Sequence, residues 1–98
     1  MIVVLASLMC KQGGRDRVID AAHPCIDATR KEEGCISYEL MASTEDACAL
    51  LFVERWESIE ALKKHLASPH LAKFKEERTP FVTGASEVTL YEATRAQL

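Results

Sequence analysis

The chain has 98 residues, a hydrophobic share of 48% and a formal net charge of -3, which allows one hydrophobic core and excludes a disordered or fibrous protein. A mild acidic balance without a basic cluster argues against nucleic acid or an anionic membrane as partner. The longest apolar run, Ile2 to Cys10 interrupted by Ser7, is too short to span a bilayer and lacks the basic flank and cleavage site of a signal peptide, so the expected location is the cytoplasm.

Ile2–Met9 is rich in valine and leucine and reads as a first strand. Gly13-Gly14 breaks it and opens a helix over about Arg15–Lys31, whose stripe is Val18, Ile19, Ala22, Cys25, Ile26 and Thr29. Pro24 falls inside that helix, where it removes a hydrogen bond and favours a kink. Gly34 follows the charged run Lys31-Glu32-Glu33 and ends the helix. A second strand spans Cys35 to about Met41, and the polar turn Ser43–Asp46 leads to a third over Ala49–Glu57, the two suggesting a hairpin. Ser58 caps a short helix Ile59–Leu66, with Ile59, Leu62 and Leu66 expected inward. Ser68-Pro69 opens another helix to about Arg78, carrying Leu71 and Phe74. Pro80 ends it, Gly84 turns the chain, and Glu87–Glu92 is the last strand.

Four strands interleaved with helices in this order predict an α+β, ferredoxin-like split β-α-β-β-α-β fold: one antiparallel sheet with helices on one face. Such a sheet ordinarily has one polar face. Here Leu50 and Phe52 oppose Leu51 and Val53, and Val4, Ala6 and Leu8 oppose Val3, Leu5 and Met9. The helices of so short a chain cover one face only, so the second predicts a homodimer closed sheet against sheet.

The chemistry concentrates between Glu54 and His70. Glu54 shares strand parity with Leu50, Phe52 and Trp56. A carboxylate in an apolar row either orients a histidine, holds a proton at a raised pKa, or pairs with an arginine. Trp56 offers a flat wall to an aromatic ligand, or plugs the gap between sheet and helix. His65 and His70 lie on the flanks of their helical stripes, where a neutral imidazole at a cleft edge serves as a general base. Tyr38 is a hydrogen-bond donor or a core tyrosine, and His23 reads as structural or solvent-facing. The three histidines lack a His-Glu-x-x-His spacing, so no metal site is expected. Gly13-Gly14 lacks the further glycines of a dinucleotide loop. Cys10, Cys25, Cys35 and Cys48 form no Cys-x-x-Cys pair and read as small buried hydrophobes.

Taken together, Glu32-Glu33-Gly34-Cys35 with Tyr38-Glu39, then Glu54-x-Trp56-Glu57-Ser58, then His65 and Ser68-Pro69-His70 resemble the antibiotic biosynthesis monooxygenase (ABM) domain, close to its small bacterial quinol monooxygenases. The resemblance runs from the first strand to about Glu92 and implies one such domain over residues 1–98, paired as a dimeric α+β barrel. It also implies oxygenation of a small aromatic or quinol-like substrate by O2 with no cofactor and no metal. On that reading His65 is the base, Glu54 orients it, Trp56 stacks on the ring, and His70 and Tyr38 are secondary pocket groups. Heme-degrading relatives hold iron through a histidine on the later helix. Leu71–Lys75 has none, and Ser7 stands where those proteins resemble one another in having asparagine. Two further readings are an isomerase of a small phosphorylated ketone and a non-catalytic dimer that binds a small aromatic. No obvious basic pocket for a phosphate is evident, though arginines 15, 17, 30, 55 and 78 leave one open.

Overall fold

A computed structural model describes residues 1–98. The elements are β1 (Ile2–Met9), α1 (Arg15–Thr29), β2 (Cys35–Ala42), β3 (Ala49–Trp56), α2 (Ile59–Leu66), α3 (Pro69–Arg78), a single 3-10 turn Thr79–Phe81 and β4 (Glu87–Glu92). The strands form one antiparallel sheet in the order β2-β3-β1-β4, the ferredoxin-like arrangement expected. No helix is long and apolar enough to cross a membrane.

One face of the sheet meets the helices and makes the core. Ile2, Val4, Ala6 and Leu8 of β1 are buried there with Leu50, Phe52, Glu54 and Trp56 of β3. Val18, Ala22, Cys25 and Ile26 of α1 and Leu71 and Phe74 of α3 close over them. The other face stays apolar without a covering layer. Register places Leu5 opposite Val53, and Ser7 and Met41 each opposite Leu51. Met9, Met41 and Tyr91 are exposed at its margins. No cysteine is bonded; Cys10 and Cys25 are buried and Cys35 and Cys48 half-buried.

Three local outcomes differ from the sequence reading. Helix α1 runs through the exposed Pro24 but stops at Thr29, short of Lys31. The chain there tightens into turns, with Glu32 N–H donating to Thr29 O at 3.0 Å. Strand β3 ends at Trp56, one residue early. Helix α2 turns Ala61, Leu62 and His65 inward, whereas Ile59 and Leu66 are 37% and 55% exposed. A helix of two turns buries only a narrow stripe. The stripe chosen here is set by what α2 packs against, the glycine turn before β2.

Gly34 makes that packing possible. Its φ of +86° suits glycine, and a Cβ there would lie 2.5 Å from the Cβ of Ala61. The backbone of the Arg30–Gly34 turn therefore rests directly on α2, with Glu57 N–H donating to Gly34 O at 2.8 Å. This close approach carries Glu32 to the buried face of α2.

Candidate active site

Ser58 and Ser68 define where the two imidazoles stand. Ser58 Oγ accepts from Ala61 N–H at 3.2 Å and starts α2; Ser68 Oγ accepts from Leu71 N–H at 3.4 Å and starts α3. Between the helices Ser68 folds back, its hydroxyl donating to His65 O at 2.6 Å. The short joint brings the rings of His65 and His70 to 6.2 Å between centroids.

Both imidazoles converge on one carboxylate oxygen. His65 Nδ1 and His70 Nε2 each lie 2.8 Å from Glu32 Oε2. The side chain of His65 is 2% exposed and that of His70 24%. An ionised carboxylate only accepts, so each imidazole donates to it. His65 therefore carries its hydrogen on Nδ1 and keeps a free lone pair on Nε2. Burial pushes the His65 pKa below its ordinary value, opposed by the hydrogen bond and charge of Glu32. The result is an oriented, neutral imidazole.

His65 also forms part of the wall of a cavity of about 570 Å³ between the helix face of the sheet and helices α2 and α3. Its lining is mainly apolar, with Phe52, Leu62, Leu71, Phe74, Val88 and Leu90 prominent. Tyr38 and Glu54 share the deep wall with His65. The Tyr38 ring stands 5.2 Å from that of His65, edge to face. Burial, and then the nearby Glu54, push the Tyr38 phenol well above its usual value, so it keeps its proton and can donate it in a hydrogen bond. Burial pushes the Glu54 carboxyl up to about 7; a hydrogen bond from Trp56 opposes the rise and the charge of Glu32 adds to it.

Two expected roles are corrected by these positions. Glu54 does not orient a histidine: it accepts from Trp56 Nε1–H at 3.0 Å, while Glu32 holds His65. Trp56 presents no face to a ligand. It is 0% exposed and absent from the cavity wall, with its ring 4.8 Å from that of His65. It fills the space between sheet and helix, because the inward rotation of α2 sets His65 over it. His70 likewise stays outside the cavity wall and meets Glu32 from the solvent side. His23 is exposed.

Sequence reasoning missed Glu32, which sits in what reads as a solvated charge run. The available signal was its place two residues before Gly34, a glycine with a structural duty. Glu32, His65 and His70 also bring three possible ligand atoms within 4.8 Å of one another, a grouping invisible to motif spacing. In the structure the three groups satisfy one another by hydrogen bonding.

A chain with this sheet order, this apolar chamber under α2 and α3 and this buried imidazole belongs to the antibiotic biosynthesis monooxygenase family, whose model matches residues 1–77. It is similar to Rv0793 of Mycobacterium tuberculosis, at 32% identity over 91% of this chain and 87% of that protein. The solved structure of Rv0793 superposes with a TM-score of 0.88, 28% identity and coverage of 97% and 96% of the two chains. It is also 29% identical to the Escherichia coli protein named probable quinol monooxygenase YgiN, over 78% of this chain and 83% of that one. An uncharacterized Synechocystis protein, sll1783, is 27% identical over 98% of this chain, which spans 65% of that relative's length.

Proposed function

We propose that the protein is a cofactor-independent monooxygenase that oxidises a quinol or polyphenolic ring with O2. The observation that carries this reading is His65: a buried imidazole with Nδ1 tied to Glu32, set in the wall of an otherwise mostly apolar chamber. Membership of the monooxygenase family and the name of the E. coli relative point to the same chemistry.

The reaction needs little from the protein beyond a base, donors to an anion and exclusion of water. Nε2 of His65 takes a phenolic proton, and Glu32 stabilises the imidazolium that forms. The electron-rich anion gives one electron to O2. The two radicals combine at a ring carbon to give a peroxide anion, which takes the proton back from the His65 imidazolium and becomes a hydroperoxide. Loss of water from it leaves the quinone, so one oxygen atom ends in the product and the other in water. Tyr38 donates to the developing anion; Glu54 gives a proton to the departing hydroxide, which leaves as water, and is reprotonated by the proton lost from the ring carbon, a task suited to a carboxyl near neutrality. Trp56 acts by fixing Glu54 and the His65 ring from behind.

We also infer a homodimer. The uncovered sheet face formed around Leu5, Leu51 and Val53 has the apolar character of a surface meant for a second sheet.

His65→Ala tests the assignment. Turnover should collapse while affinity for a quinol changes modestly, because the ring contributes chemistry more than contact. Unchanged turnover would remove His65 from the mechanism.

A further inference from the structure

The chamber wall carries two cations that the proposed oxygenation leaves unused. Tyr38, Glu54 and His65 share that wall with Arg78 and the exposed Lys75, neighbours one turn apart on α3; Arg78 lies near enough to interact with Tyr38, and Lys75 with His65. Arg78 is half-buried, and its guanidinium carbon sits 4.9 Å above the ring of Phe74, itself 1% exposed. That stacking fixes the planar fork against the chamber wall.

Neither cation has a protein partner. The ion pairs of the molecule join His65 and His70 to Glu32 and Lys73 to Glu77. No side-chain hydrogen bond from Arg78 or Lys75 is formed, in contrast to Arg30, bound to Tyr38 O, and Arg55, bound to Ser37 Oγ. Glu54 is the only carboxylate lining the chamber, and Trp56 holds it. A partly desolvated guanidinium without a counter-charge is costly. Burial lowers the Arg78 pKa, in keeping with that cost. An anion on the ligand would supply the missing charge, and a guanidinium offers it two parallel donors.

We propose that Arg78, assisted by Lys75, is an anion subsite, and that the ring substrate carries a carboxylate that the subsite binds. This rests on the quinol reading for the ring and adds its substituent. The apolar middle of the chamber takes the ring, His65 meets the hydroxyl, and Arg78 meets the carboxylate. One substituent thus sets the orientation in which the phenolic proton faces Nε2.

The test is calorimetric titration of the full chain under nitrogen, so that binding is read without turnover. The probes are gentisate and homogentisate, two quinols bearing a carboxylate, each against its methyl ester, with phenyl phosphate as a second anion. The acids should bind about tenfold or more tightly than the esters, as expected for a charge-assisted pair. Arg78→Gln should abolish that preference while leaving affinity for the esters in place, Arg78→Lys should keep part of it, and Lys75→Gln should reduce it less. Circular dichroism checks that each variant is folded. Should Arg78→Gln fail to fold, the Arg78→Lys and Lys75→Gln comparisons decide. Tighter binding of phenyl phosphate than of either acid, lost in Arg78→Gln, supports the subsite and makes its anion a phosphate. Equal affinity of acids and esters, binding of neither, or a preference that survives in folded Arg78→Gln overturns the proposal. Failure of oxygen uptake with the acid preference intact would instead count against the oxygenase reading alone.

Discussion

His65 Nδ1 lies 2.8 Å from Glu32 Oε2, a contact between residues 33 positions apart. It decides which nitrogen of the buried ring is basic. With the hydrogen held on Nδ1, Nε2 is left as the proton acceptor, and the charge it acquires is met by the same carboxylate.

Glu32→Gln separates that orienting role from simple packing. The amide keeps the shape, and its oxygen can accept from both imidazoles as Oε2 does, but it brings no charge to stabilise an imidazolium. Turnover should fall by about 100-fold, the usual scale of a positioned base. Because Glu32 raises the His65 pKa against burial, the acid limb of the kcat/KM profile should move to lower pH. Imidazole nitrogen NMR should show unprotonated Nε2 in both proteins, with the His65 ring protonating at lower pH in the variant. An unmoved profile with undiminished turnover would contradict the arrangement.

Glu54 makes the fold pH-sensitive. Its pKa is raised from 4.5 to about 7, so between those values the folded chain holds a proton that the unfolded chain releases. Stability from this group therefore falls as pH rises through that window. His65, held below 6.5, works in the opposite sense, losing stability as pH falls through its unfolded value. Glu54→Gln removes only the first effect. In denaturant titrations the variant should match the wild type near pH 4 and exceed it by up to about 3 kcal/mol at pH 8. A constant difference across pH would show that Glu54 titrates normally.

Trp56 supports the site without touching the ligand. Trp56→Phe deletes the hydrogen bond to Glu54 and leaves a gap behind His65, costing about 2–4 kcal/mol in unfolding free energy. Affinity for hydroquinone should barely move. Lost affinity with undiminished stability would return Trp56 to the role of a stacking wall.

The uncovered sheet face predicts association. Sedimentation should give a dimer for the wild type. Leu5→Glu, which sets a charge opposite Val53 in the middle of that face, should give a folded monomer. A monomeric wild type at micromolar concentration would remove the dimer.

The fold was largely legible in the chain because its signals are local. Ser58 and Ser68-Pro69 mark their helix starts, and strand parity places Glu54 in the buried row with Phe52 and Trp56. The site was legible only in part. His65, Tyr38 and Glu54 do share one wall, but which groups bond to one another depends on the rotation of α2. That rotation follows from the contact of Gly34 with Ala61, a tertiary fact that no periodicity encodes. Glu32 and Arg78 were obscure for the same reason. Each reads as a surface charge until the turn or the helix that carries it is docked.

Oxygen uptake by the purified, metal-stripped protein on a panel of quinols and polyphenols, wild type beside His65→Ala, tests the central claim most directly. The account predicts enzyme-dependent uptake without added flavin or metal, lost in the variant. No uptake on any ring by a folded protein, or uptake that the variant retains in full, would contradict it.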